Sequence, residues 1–213
     1  MRYIKKNSSP DFFEQEKTQL NANAVWNELH CKTQLRLHLI EEQKKLCAYC
    51  ECGINENNSH IEHIDEQSNN PTLRFDYQNL IASCNGDLCN PELKENFHPE
   101  DVHSCGHKKS NYTNSNQFLN PVAMRDIGEY FLYDKEVCSI CGSGRDDDKA
   151  KYTIDLLNLD NPRLNNARYN AREALRNAVK KYSHSTPKHQ ISALLSKERP
   201  FISFLRFYYA SFL

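Results

Sequence analysis

No apolar run in the 213-residue chain approaches the roughly 18–20 residues that a helix needs to span a bilayer. That excludes a protein built on membrane-spanning helices. A basic-then-apolar leader is also missing at the start, so the expected location is the cytoplasm. Net charge is nearly absent at −1. A lone DNA-cutting enzyme is expected to carry a more basic surface, so the balance disfavours cleavage by this chain acting alone. There are no internal repeats and no long low-complexity segments, which excludes solenoids and biased linkers. What remains, at 38% hydrophobic and 26% charged residues, suits a globular rather than a disordered chain. The length allows one sizeable domain or a small domain with elaborations.

Cysteine, by contrast, is plentiful. Nine is an odd number, which argues against a closed disulfide framework, and a reducing compartment argues against disulfides generally. Metal ligation is the natural use for several of them, with Cys31 the best candidate for a plain apolar residue. Charge is unevenly spread. From Asn161 onward lie ten of the 27 Lys and Arg residues but only Glu173 and Glu198 of the 28 acidic ones. An acidic body joined to a basic end hints at a polyanion or an acidic partner.

Pro10 suits entry to a helix near residues 11–19, and the spacing of Trp26, Leu29, Leu35, Leu39 and Leu46 predicts a longer helix over about residues 24–45. Residues 55–120 are turn-rich, with short strand-like pieces at "HIEHI" and "LIASC". An ordered block follows at "IGEYFLYD" and "YTIDLLNLD", then helices over about residues 162–182 and 188–213. The predicted class is α+β, with helices around a small irregular core.

Cys47 and Cys50, in "LCAYCE", form one half of a knuckle, since a tight turn can aim two thiolates at one ion. Three pairs could complete it: Cys84 with Cys105, Cys84 with Cys89, or Cys138 with Cys141. Beyond the knuckle, Glu62 and His63 sit on a predicted strand, Asn79 follows sixteen positions after His63, and His107 follows Cys105 in "CGHKKSN". This is the order of an HNH nuclease. A neutral imidazole takes a proton from water, an acidic neighbour and a second side chain hold a divalent ion, and an asparagine braces the loop. A bare HxxH is common, and His60 with His63 could equally be zinc ligands or surface histidines. The competing class is a zinc-finger module that binds nucleic acid or a partner without catalysis, and such a module has no need of a general base.

"LCAYCE", "SHIEHI", "FDYQNLIASCNG" and "CGHKKSN" together resemble the PtuB family, HNH endonucleases of Septu and retron anti-phage systems that stand beside an ABC-type ATPase, PtuA. "MRYIKK", "FLNP", "EYFLYD" and "TIDLLNLDNPRLNNAR" extend the resemblance over most of the chain. It implies a ββα-metal (HNH, His-Me) finger with a structural zinc knuckle, wrapped by N- and C-terminal helices. The implied regions are a helical 1–46, a nuclease core 47–120 and a mainly helical 121–213 with a basic helix and an aromatic tail. It implies structural zinc on Cys47, Cys50, Cys84 and Cys105, leaving Cys89 in a loop. It also implies His63 as general base, Asn79 as the central asparagine, and Glu62 and His107 as ligands of a catalytic Mg2+ or Mn2+. Expected partners are a PtuA-type ATPase, a nucleic acid substrate (DNA, or RNA such as tRNA), and in a retron a reverse transcriptase with its RNA–DNA product. Family members often carry a proline soon after "EHI" and a glycine after "CGHKK". Here those stretches read "DEQS" and "KKSN", and "VCSICGSGRDDD" replaces a short turn, which raises a second ion on Cys138 and Cys141.

Arg168, Arg172, Arg176 and Lys180 recur every four residues, which predicts one basic helix face for phosphate or partner contact. "PFISFLRFYYASFL" is aromatic on nearly every side, which predicts burial in the chain's own core, with docking on the ATPase as the sharper alternative.

Overall fold

The structure is a computed structural model that describes residues 1–66, 70–86, 103–109, 113–180 and 187–213. Its class is α+β: among the described residues, helices pack around two separate two-stranded antiparallel sheets. Among the described residues, no helix is long and apolar enough to cross a membrane.

Helix α1 (Asp11–Lys17) follows Pro10, has Asp11 and Glu14 in its first turn and Lys17 in its last, and buries Phe13. The long helix expected over residues 24–45 is broken. A 3-10 turn, Trp26–Glu28, precedes helix α2 (Lys32–Glu42), which buries Leu35, Leu39 and Ile40. Side chains cause the break. Glu28 accepts the Val25 N–H at 2.8 Å, and the Glu16 carboxylate reaches back from α1 to accept the N–H groups of His30 and Cys31. Those donors are satisfied from outside, so the chain can start a fresh helix at Lys32.

Strand β1 (Ser59–His63) pairs antiparallel with β2 (Leu80–Cys84), Ser59 opposite Cys84 and His63 opposite Leu80. Every residue of β2 is buried. Its outer edge is closed by Gln43 just after α2: the side-chain amide donates to Ala82 O at 2.8 Å and accepts from Ala82 N at 2.7 Å, so one glutamine stands in for a neighbouring strand. Strands β3 (Phe131–Tyr133) and β4 (Ile140–Gly142) form the second sheet.

Helix α3 (Asp147–Leu157) starts where the Asp146 side chain accepts the Lys149 N–H and ends at left-handed Asn158. Helix α4 (Pro162–Lys180) starts with Pro162, and the Asn161 side chain accepts Leu164 N–H at 2.9 Å. These two helices hold the segment that carries Cys105. Asn158 donates to His103 O at 2.8 Å, and buried Arg163 donates to Ser104 Oγ at 2.6 Å.

The C-terminal helix expected over residues 188–213 is divided into α5 (Pro187–Leu195), α6 (Ile202–Tyr208) and a closing 3-10 turn, with Pro200 in the break. Phe201, Ile202, Phe204, Leu205 and Tyr209 are buried. Ser203 donates from both N (2.9 Å) and Oγ (2.6 Å) to the buried carboxylate of Glu51, the residue next to Cys50. Most of the aromatic end therefore packs into the chain's own core and against the knuckle, as the default expectation had it, while Phe212 and Leu213 stay exposed. Deleting residues 201–213 is expected to give insoluble or unfolded protein. Five buried side chains at ~1.5–3 kcal/mol each rival the whole stability of a domain, roughly 5–15 kcal/mol, and Glu51 would be left as a buried carboxylate without its hydroxyl and amide donors. Soluble yield and a thermal melt check this; a soluble truncation with an unchanged melting temperature would contradict it.

Candidate active site

The knuckle starts where Leu46 bridges Gly53 and the chain turns back on itself. Cys47 N–H donates to Cys52 O at 2.9 Å, and Glu51 takes a left-handed φ of 65°. Cys84 ends β2, and Cys105 opens the 3-10 turn Cys105–His107. The four sulfur atoms of Cys47, Cys50, Cys84 and Cys105 lie within 4.8 Å of one another, all buried. No disulfide joins them. Cys50 and Cys84 Sγ stand 3.7 Å apart. Two thiolates each ~2.3 Å from a tetrahedral ion would stand ~3.8 Å apart, so the cluster could hold a metal such as zinc. Hydrogen bonding from the neighbouring thiols, Cys105 first, pulls the Cys50 thiol down to about 6, whereas burial holds Cys105 well above the ordinary thiol value. This group contains the pair Cys84 and Cys105 and neither Cys138 nor Cys141; Cys89 lies outside the described residues. Cys138 is buried and Cys141 exposed on the second sheet, and among the described residues they join no group of three metal-ligand side chains.

Because side chains alternate along a strand, His60 and Glu62 share one face of β1 and His63 takes the other. On the first face, Glu62 Oε2 is 3.4 Å from His60 Nε2, and Oε1 is 2.9 Å from Lys109 Nζ. Burial would raise the Glu62 pKa, but His60 and Lys109 outweigh it and the carboxylate is held below its ordinary range. Lys109, itself buried, also donates to the carbonyls of His63 and Ile64 at 2.6 Å each, clamping the end of β1. The His107 ring comes in from the 3-10 turn, its centroid 4.6 Å from that of His60. Gly106 makes this approach possible, since a Cβ there would lie 2.6 Å from His60 Nε2 and 2.7 Å from Glu62 Oε2. Gly106 N–H in turn donates to Ser83 Oγ at 3.0 Å.

On the other face, His63 Nε2 is 3.0 Å from Arg74 O, and its ring meets Trp26 edge-on at 4.5 Å. Burial lowers its pKa, so the imidazole is neutral near pH 7. Asn79 closes the loop between the strands. Its side chain accepts Asp65 N–H at 2.8 Å and donates to Asp65 O at 2.9 Å and Leu73 O at 3.2 Å. Beside His60 and Ile61 lies a concavity of about 240 Å³, also lined by Trp26, Lys32, Thr33 and Arg36.

The basic stripe is not presented as a single rail. Arg168 is buried, donating to Cys138 O at 3.2 Å and Leu159 O at 2.7 Å, so it ties α4 to the segment of Cys138 and to the turn just before the helix. Arg172 is half-buried, its guanidinium 4.5 Å from the Tyr169 ring centroid and 5.2 Å from that of Tyr208. Arg176 and Lys180 alone of the four are exposed. His60 and Lys109 were not among the residues singled out for catalysis. His60 was legible, since it lies two residues before Glu62 on a predicted strand. "HKK" does not say which lysine turns inward.

No family model matches the chain. Two curated proteins do. One, named "Retron Ec83 putative HNH endonuclease", from Escherichia coli, is 28% identical over 204 residues, covering 79% of this chain and 78% of its own. The other, Septu protein PtuB from Bacillus thuringiensis, is 26% identical over 168 residues, covering 75% of this chain and 55% of its own. The similarity to the first supports a nuclease. The two together support, more particularly, a PtuB-type HNH defence protein.

Proposed function

We propose that this chain is a metal-dependent HNH endonuclease that hydrolyses nucleic-acid phosphodiester bonds as the cutting component of an anti-phage system. The observation that carries it is the β1–β2 hairpin, which sets Glu62, His63 and Asn79 beside the turn bearing His107, next to a four-thiol cluster. In this reading the hairpin and the turn are the ββα-metal finger. Zinc on Cys47, Cys50, Cys84 and Cys105 fixes the turn, and Glu62 and His107 hold the catalytic Mg2+ or Mn2+. A carboxylate and an imidazole are donor types that such an ion takes, and Gly106 leaves room beside Glu62 Oε2 that a side chain would fill. When bound, it supplies Lewis-acid stabilisation of charge on the phosphate.

The chain's own residues do the rest. With Nε2–H given to the Arg74 carbonyl, His63 takes the proton of the attacking water at Nδ1. Asn79 and Lys109 keep the end of β1 in place by binding main-chain groups of residues 63–65 and 73. A phosphodiester lying across that strand end meets Glu62 on one side and His63 on the other. The strand of nucleic acid continues along the concavity with Trp26, Lys32 and Arg36, where an aromatic face and two cations suit a base and phosphates. Arg176 and Lys180 offer further contacts to phosphate or to a partner.

The partner named by the family resemblance is a PtuA-type ABC ATPase, in retrons together with a reverse transcriptase and its RNA–DNA product, all in the cytoplasm. The rival reading, a zinc-finger binding module, is favoured by the Lys109–Glu62 ion pair, which can neutralise Glu62 without any metal. One assay separates them. The chain, with and without the ATPase, is incubated with labelled DNA and with total RNA plus Mg2+ or Mn2+. Cleavage of either polymer, stopped by EDTA, is expected. Folded, metal-replete protein that binds nucleic acid and cuts neither would select the binding module.

A further inference from the structure

His63 is gripped by two segments that are themselves tied together. One is the stretch that interrupts the helix expected over residues 24–45, and the other is the loop between β1 and β2. From the loop, Arg74 O lies 3.0 Å from His63 Nε2. From the interrupted stretch, the Trp26 ring meets the His63 ring at an interplanar angle of 80°, centroids 4.5 Å apart. The Arg74 guanidinium donates to Ala24 O at 2.6 Å, and the Phe75 ring lies at 28° to that of Trp26, centroids 6.0 Å apart. Each segment therefore holds the other. Trp26 sits in the 3-10 turn that Glu28 closes by accepting the Val25 N–H, and the Glu16 carboxylate takes the N–H groups of His30 and Cys31 that follow it. Two carboxylates thus fix the turn that presents this one ring to His63.

The χ2 torsion of a histidine has only a broad preference, so packing has to set the plane of the ring. A hydrogen bond at Nε2 fixes one point of it. An aromatic ring set edge-on against it fixes the plane, and with the plane the direction of the Nδ1 lone pair. We infer that Trp26 is a positioning residue for the general base, holding the His63 ring so that Nδ1 faces the attacking water. The inference rests on the proposed catalytic site and deepens it by naming what aims the base. It gives Trp26 a task besides lining the concavity, and the two tasks separate kinetically. A ring that only meets substrate changes how tightly nucleic acid is held, whereas a ring that aims the base changes the rate once it is held.

The test is a double-mutant cycle on the full-length, metal-replete protein, read by single-turnover cleavage of whichever labelled polymer wild type cuts. Maximal rate and half-saturating concentration are measured separately. Trp26→Ala is expected to lower the maximal rate ~10–100-fold, the usual penalty of a misplaced reacting group, and to cost nothing further when His63 is already alanine. Trp26→Phe, which keeps an aromatic edge, should recover most of the rate. Glu28→Ala keeps every ring and loosens the turn; it should show a smaller loss of the same kind, and it stands in if Trp26→Ala does not fold. A readout without turnover runs beside these: the His63 ring proton resonances, assigned by their absence from His63→Ala, should broaden in Glu28→Ala and stay sharp in wild type. A Trp26→Ala protein with the wild-type maximal rate, or with only a raised half-saturating concentration, overturns the inference. So does an equal loss of rate in the His63→Ala background. If wild type cuts neither polymer, or His63→Ala cuts as fast as wild type, the catalytic-site reading itself falls and takes the inference with it.

Discussion

Replacing His63 by alanine is expected to reduce cleavage by ~10²–10⁴-fold, the usual worth of a positioned general base, while the fold and the cysteine-bound metal stay intact. The geometry separates these effects. His63 lies on the face of β1 away from Glu62, where it meets the Arg74 carbonyl and the edge of Trp26, and it is not part of the four-cysteine group. Losing the ring removes the hydrogen bond to Arg74 O, worth ~0.5–1.5 kcal/mol, and the edge-on contact with Trp26, worth about as much. A domain survives that. The measurement is a single-turnover cleavage assay, run beside metal analysis and a melting curve. An active His63→Ala protein would remove the general base from the mechanism. An inactive one that had also lost zinc would place His63 in the structure and not in the chemistry.

The parts of this site that could be read from the sequence depend on short-range patterns. "HIEHI" and "LIASC" form the two strands, and the CxxC forms a turn, because pleat and turn chemistry act within a few residues. The choice of Cys84 and Cys105 over two other pairs came from family resemblance, since spacing alone allows all three; in the folded chain those two sulfurs join Cys47 and Cys50. Parts decided at long range were not legible. The break before α2 depends on Glu16 reaching across from α1. Arg168 has the same four-residue spacing as its neighbours, yet it turns inward, where the distant Cys138 carbonyl, with Leu159 O at the helix entry, accepts from it. Lys109 is buried beside Glu62 for the same kind of reason: carbonyls at the end of β1 need a partner that no local pattern announces.

The largest loss of stability is expected from the cysteine cluster. Cys47→Ser or Cys84→Ser should abolish metal binding at the cluster, zinc in the proposed reading, and unfold the protein around the hairpin. Apparent zinc-binding free energies in small fingers run to about 10–16 kcal/mol, as large as the roughly 5–15 kcal/mol that holds a whole domain. The architecture makes the loss spread. Cys47 and Cys50 flank the turn whose next residue, Glu51, anchors α6 through Ser203. Cys84 terminates β2, and Cys105 starts the turn that carries Gly106, His107 and Lys109 to the face of Glu62. Without the ion these three segments keep only a few hydrogen bonds, Ala48 N–H to Ala82 O and Gly106 N–H to Ser83 Oγ among them, and Cys84 and Cys105 keep raised pKa values in the hydrogen bonding and burial around them. Cleavage should disappear together with zinc in these variants, whereas His63→Ala should lose cleavage alone. Cys138→Ser and Cys141→Ser should keep zinc, since neither sulfur belongs to the cluster. Metal content by elemental analysis and hydrogen exchange across residues 46–84 make the comparison. Should Cys105→Ser keep its zinc while Cys89→Ser loses it, the ligand set is wrong, and the turn that delivers His107 must be held by something other than the metal.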